Sequence, residues 1–147
     1  MSLGMWDVSG KGWTERSARA RAVLTTAPET IVRLRAGDLP KGDPLPVARV
    51  AGVQAAKNTP NIIPYCHPLP LDKVAVEFEV LDNSIIVTTT VKATYKTGVE
   101  MEALTAAAAA ALTIYDMLKM LDPGMVISHV GLLEKRGGKS DFVAEAE

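Results

Sequence analysis

The chain has 147 residues, 48% of them hydrophobic and 22% charged. These are ordinary globular proportions, which exclude disorder as the main state and supply one domain's worth of core. Sixteen Lys and Arg against seventeen Asp and Glu give a net charge of -1. No global field therefore draws the protein to nucleic acid or to an anionic membrane, and an anionic ligand must be caught by a local cluster.

Residues 1–4 read as an added leader ahead of a start at Met5, and the rest of the 147 residues as a single domain. The first eight residues are followed at once by Lys11, Glu15, Arg16, Arg19 and Arg21, so the apolar core of a secretion signal is missing. The only cysteine, Cys66, permits no internal disulfide and no CxxC zinc ribbon, and a reducing, cytoplasmic setting is expected. The longest strongly apolar uncharged stretch, Ala103 to Tyr115, falls well short of the roughly 20 residues of a spanning helix, so no membrane is expected as a partner.

In Ser17 to Thr25, Ala18, Ala20, Ala22 and Leu24 share one side and Arg19, Arg21 and Val23 the other, which is strand period despite good helix formers. Pro28 to Leu34 begins as a helix begins, and Gly37 stops it. After a loop, Asp38 to Asp43, the spacing of Val47, Val50, Ala51 and Ala55 predicts a second helix over Pro44 to Lys57. Asn58 to Pro70 holds four prolines and is expected to be a stiff extended loop, which positions side chains well. Val74 to Leu81 and Ile85 to Tyr95 alternate around Asp82-Asn83-Ser84 as a hairpin. A long helix runs from Val99 to Leu121, ended by Pro123-Gly124, and Met125 to Lys135 is a last strand.

Strand, helices, two paired strands, helix, strand is the βαββαβ order of a ferredoxin-like α+β fold, with helices on one face of an antiparallel sheet. The threonines and valines of Val87 to Val91 look apolar enough on both sides for the second face to meet another subunit.

Among residues that could carry chemistry, Tyr65-Cys66-His67 between Pro64 and Pro68 form the densest polar, titratable group in any loop. A histidine can donate, accept or shuttle a proton near neutral pH. A histidine that merely satisfies loop carbonyls is an equally good reading of the residue type alone. Metal ligation is the weaker reading, since Cys66 and His67 are adjacent, His129 is far away and zinc spacings are absent; no cofactor is expected.

Asp116 and Lys119 lie three apart on the long helix and share a face, as a proton-transfer pair or as an ordinary exposed ion pair. Glu100 and Glu102 near its start favour the helix dipole. Glu102 and Asp116 point within about 40° of each other but stand about 21 Å apart along the axis, so one small reacting centre cannot touch both. Two copies of the helix related by a two-fold axis could bring one Glu102 toward the other Asp116. Gly137-Gly138-Lys139-Ser140 ends like a P-loop, but Leu133 replaces its first glycine and no helix can follow. Lys139 in that turn can still meet an anion, and Arg16, Arg19, Lys41, Arg49 and Lys57 are further candidate anion contacts, each alone more often a solvated surface charge.

The segments KGD (Lys41 to Asp43), ARVAGVQAAKNTPNIIPYCHPLPL (Ala48 to Leu71), KTGVEMEALTAAAAAALTIYDMLK (Lys96 to Lys119) and EKRGGKS (Glu134 to Ser140), with the MWDVSGK opening at Met5, resemble the MoaC family of molybdenum cofactor biosynthesis. The resemblance implies a lyase, cyclic pyranopterin monophosphate synthase. Such an enzyme converts 3',8-cyclo-7,8-dihydro-GTP to a pterin bearing a cyclic phosphate, the molybdopterin precursor, with loss of pyrophosphate. It also implies a ferredoxin-like homohexamer, a trimer of dimers, with its site at a dimer interface. Carried over by motif, Asp116, Lys119, Lys41 and His67 are catalytic. Tyr65, Cys66, His67, Met101 and Glu102 contact substrate, and Glu100 and Arg16 extend that set. In this scheme Lys119 serves as a base if its neighbours lower its pKa, Lys41 holds the triphosphate, and Glu102 accepts ring N–H groups. Two departures from the family pattern, GGKS running straight into Asp141 and the six alanines Ala106 to Ala111, touch none of these positions. The rival is a non-enzymatic ferredoxin-like module that binds an effector or only assembles subunits. That reading scatters Lys41, His67, Asp116 and Lys119, whereas the enzyme gathers them once the oligomer forms.

Overall fold

A computed structural model describes residues 3–145; Met1 and Ser2, half of the leader set aside above, lie outside the described residues, as do residues 146 and 147. The elements in order are β1 (Thr14–Thr25), α1 (Pro28–Ala36), α2 (Pro44–Lys57), α3 (Thr59–Ile62), β2 (Lys73–Val80), β3 (Ser84–Tyr95), α4 (Glu100–Leu118), β4 (Val126–Arg136) and β5 (Phe142–Val143). The sheet runs β2-β3-β1-β4-β5, every pair antiparallel. Its first four strands have the ferredoxin-like order.

β1 is a strand because its alternation places Ala18, Ala20, Ala22 and Leu24 in the core, all fully buried. Burial on one face outweighs the helix preference of alanine. Opposite them lie Ala103, Ala107, Ala110 and Ala111 of α4, also buried. Small residues on both sides let the helix lie close to the middle of the sheet. Gly52 extends the same economy to α2, because a Cβ there would stand 2.9 Å from a Val76 methyl and 3.3 Å from the Ala106 carbonyl. From the sheet side, the buried Thr89 hydroxyl donates to the Ala103 carbonyl at 2.7 Å and ties β3 to α4. With 19 residues, α4 is long and apolar enough to cross a membrane by length and composition only. Its position against β1, β3, β4 and α2 accounts for that composition as core.

Four features differ from the expectation. One helical turn, α3, interrupts the Asn58 to Pro70 loop, because Pro60 stands at its start, where no N–H is needed, and the Thr59 hydroxyl donates to Ala55. α4 stops at Leu118, three residues early, as the chain turns through Leu121. The short β5 returns along β4 after the GGKS turn. The second sheet face is charged: Ala75, Thr90 and Arg19 form one row and Glu77, Thr88 and Arg21 the next, with apolar Val23 and Ile86 only at one end. Reading Val87 to Val91 alone missed the arginines and glutamates that the neighbouring strands place beside it.

The N-terminus of α1 is capped from the far end of the chain. Ala27 offers no side-chain cap. The buried Asp122 carboxylate instead accepts from the Ala27 N–H at 2.8 Å and the Thr30 hydroxyl at 2.9 Å. Asp122→Ala leaves both donors without that acceptor and is expected to cost about 1–3 kcal/mol. A denaturant melt should show the loss, with Asp122→Asn intermediate; an unchanged midpoint would mean that water replaces the cap.

Candidate active site

The candidate residues gather into two groups, one at each end of α4. At its C-terminal end, Lys119 Nζ donates to Asp116 Oδ1 at 2.8 Å, and Lys41 Nζ, from the loop between α1 and α2, stands 3.9 Å from Asp116 Oδ2. Asp43 caps α2 by accepting from the Leu45 N–H and fixes the end of the loop that carries Lys41. All three charged groups are open to solvent. The Lys119 hydrogen bond and charge, then the Lys41 charge, hold the Asp116 carboxyl below its ordinary range. Asp116 in turn raises Lys119. The condition set for Lys119 to act as a base, neighbours that lower its pKa, is not met: beside a carboxylate the ammonium form is favoured, and Lys119 stands as a cation and proton donor.

At the N-terminal end the arrangement is the reverse, a carboxylate taken out of water. Glu102 is 2% exposed. The Cys66 thiol donates to its Oε2 at 3.5 Å, while Oε1 is buried with no hydrogen-bond partner. Burial raises the Glu102 carboxyl pKa. Burial, then the Glu102 charge, pushes the Cys66 thiol up to about 12. Glu100 presents a second buried oxygen, Oε2, without a partner. Gly98 makes room for it, since a Cβ there would collide with that carboxylate. Met101 is half-buried and Tyr65 exposed. The His67 imidazole donates from Nε2 to the Trp6 carbonyl at 2.6 Å.

Glu100 also lines a pocket of about 610 Å³ whose walls include Lys11, Arg16, Lys135 and Lys139. Arg16 leans on the GGKS turn and donates to the Lys96 carbonyl at 3.3 Å. A Cβ at Gly138, whose φ is 78°, would overlap the Arg16 guanidinium. Sequence reasoning picked out Arg16 but missed Lys11 and Lys135. The GGKS turn was the one local signal, and the structure makes it one rim of this cation pocket. Among the described residues no three His, Cys, Asp or Glu side chains are grouped as a metal site needs.

Within one chain, then, Lys41, Asp116 and Lys119 come together, as do Cys66, Glu100 and Glu102, with His67 nearby. The two groups stand about 21 Å apart along the helix. A helix that carries an ionised acid–base cluster at one end and buried acceptors beside a cation pocket at the other defines an enzyme on a ferredoxin-like scaffold. The family model for MoaC matches residues 5–138, and the chain belongs to the MoaC family. It is 52% identical over 139 residues to a cyclic pyranopterin monophosphate synthase of Corynebacterium efficiens, covering 95% of this chain and 90% of that one. It is 52% identical over 143 residues to the protein of the same name from Novosphingobium aromaticivorans, covering 97% and 91%. With that of Streptomyces coelicolor it shares 50% over 136 residues, covering 92% and 80%.

The thiol and the buried acid can be tested without substrate. A thiol at about 12 instead of 9.0 holds about a thousandfold less thiolate at pH 8. Iodoacetamide should therefore label Cys66 very slowly, and faster in Glu102→Gln, which removes the nearby charge; equal rates would contradict the pairing. Because folding raises the Glu102 pKa, the wild type should lose stability relative to Glu102→Gln as pH rises above the ordinary 4.5, and melts at pH 4 and 7 compare the two.

Proposed function

We infer that this chain is a cyclic pyranopterin monophosphate synthase of molybdenum cofactor biosynthesis, acting on 3',8-cyclo-7,8-dihydro-GTP. One observation carries the reading beyond the family match: the pocket lined by four cations is also lined by Glu100, whose buried Oε2 has no hydrogen-bond partner, and Glu102, two residues further along α4, holds a second unpartnered oxygen, Oε1. A buried acceptor without a donor is costly, and the N–H groups of a guanine-derived ring are the donors it lacks. A triphosphate attached to the same molecule complements Lys11, Arg16, Lys135 and Lys139. These four cations join Lys41 in the set expected to hold the phosphates.

Closing the cyclic phosphate requires a hydroxyl oxygen to attack the α-phosphorus while the bond to the departing pyrophosphate breaks. The hydroxyl proton passes to a base, and the pyrophosphate carries the charge away. Asp116, ionised at neutral pH, is the acceptor in this scheme. Lys41 and Lys119, both cations, stabilise the charge that develops and return protons during ring opening and reclosure.

Both groups serve one substrate only if two copies of the chain build each site. An exposed apolar groove lies along the middle of α4, lined by Leu104, Ala108, Ala109 and Leu112 with Ile62 and Val130. Residue 109 is midway between 102 and 116, so antiparallel packing about that point sets Glu102 of one copy level with Asp116 of the other. Small alanines there permit close approach. The dimer contact thus moves from the sheet face to this groove, and a trimer of such dimers is the hexamer we propose. A soluble, cytoplasmic enzyme with no resident cofactor completes the reading. The effector-module alternative leaves the convergence of Lys41, Asp116 and Lys119 unexplained.

Incubation with the cyclised GTP substrate should release pyrophosphate and yield a fluorescent pterin; absence of both would refute the activity. Lys41→Ala and Lys119→Ala should each lower kcat on the order of a hundredfold or more, the 2–4 kcal/mol typical of lost transition-state contacts, with little change in KM. Arg16→Ala should act mainly on KM. Near-normal turnover in either lysine variant removes that residue from the mechanism.

A further inference from the structure

We propose that His67 latches the N-terminal segment, residues 4–13, across the site as a strap, and that the latch delivers Lys11 to the cation pocket. The inference rests on the reading of that pocket as an anion site. Residues 3–13 contain no helix or strand. Inside the segment, the Lys11 N–H donates to the Val8 carbonyl and the Ser9 N–H to Asp7. These bonds shape the turn but do not hold it to the rest of the fold. The Trp6 side chain does not anchor it either, being 79% exposed. At the end nearer β1, Trp13 packs edge-on against Tyr95 with ring centroids 5.1 Å apart, and at the other end the Trp6 carbonyl accepts from His67 Nε2 at 2.6 Å over a separation of 61 residues.

The strap forms a wall of two neighbouring pockets. Trp6 and Lys11 line the cation pocket and also a smaller one of about 280 Å³ with Gly4, Tyr65 and His67. Trp6 and Lys11 are five residues apart with the Val8 turn between them. Lys11 thus lies in a loop closed at one end by the Trp13–Tyr95 contact and at the other by the bond to the Trp6 carbonyl. Gly4, set aside at first as part of a leader, belongs to this wall and lies against the Tyr65 ring.

The bond also decides what His67 offers to chemistry. A carbonyl oxygen only accepts, so Nε2 must carry the proton. In the neutral ring Nδ1 is then the single open acceptor. The imidazolium also donates from Nε2, so the latch holds in either protonation state and is not a pH switch. His67 is thus a positioning residue for Lys11, and its free nitrogen is Nδ1.

Glutamine and alanine separate the latch from everything else His67 does. His67→Gln places an amide N–H near the Nε2 position and can keep the bond to Trp6; His67→Ala cannot. With inorganic pyrophosphate as the probe in calorimetric titration, His67→Ala should bind roughly 3- to 10-fold more weakly, the effect of one lost hydrogen bond, and His67→Gln within twofold of wild type. Tryptic cleavage after Lys11, followed by mass spectrometry, should accelerate in His67→Ala and stay slow in His67→Gln. Wild-type affinity and slow cleavage in His67→Ala would overturn the latch, as would equal losses in both variants. If pyrophosphate fails to bind the wild type, the anion-site reading falls, while the cleavage rates still decide the latch.

Discussion

α4 is a continuous helix of 19 residues, and nearly every group with a chemical role is referred to it. At 1.5 Å per residue the fourteen steps from Glu102 to Asp116 set the two clusters about 21 Å apart. Close alanine packing against β1 and the Thr89 tie hold the helix to the sheet. This spacing is longer than one catalytic centre, and it is what makes a second copy of the chain necessary to the proposed site. The loops then work at the two ends: the one carrying Lys41 meets Asp116, and the one carrying Cys66 and His67 meets Glu102.

The electrostatics of the two ends are opposite in character. Asp116 is exposed and doubly neighboured by ammonium groups, so it is ionised and inexpensive to keep folded. Glu102 is buried, partnered on one oxygen by a weak thiol donor, and disfavoured as a charge. A fold gains nothing from such a group in the absence of ligand. Binding sites commonly hold strain of this kind, relieved when the ligand supplies the missing donors. Gly98 serves the same end, since its missing side chain admits the Glu100 carboxylate.

Much of this was legible in the residues themselves, for identifiable reasons. The period-2 alanines of β1, the helical spacing of Val47, Val50, Ala51 and Ala55 in α2, and that of Asp116 and Lys119 in α4 are local features, and each stands in the structure as read. What was not legible depends on distant segments. Pro60 reads as a breaker until its place at the start of α3 is known. The charged sheet face needs the register of three strands at once. The cation pocket joins residues 11, 16, 135 and 139, which the strand order β3-β1-β4 and the N-terminal segment bring together and no window of sequence contains. The protonation of Lys119 turned on the sign of the closest charge, not on the residue type.

Subunit complementation tests the two-copy site most directly. Asp116→Asn and Glu102→Gln, each inactive or nearly so alone, are mixed one to one under conditions in which subunit exchange is verified independently, and pyrophosphate release is followed. In a random mixture half the dimers carry one copy of each variant and one of their two sites is intact, so turnover should recover to about a quarter of wild type. No recovery despite confirmed exchange would place both carboxylates in a site built by a single chain and contradict the account.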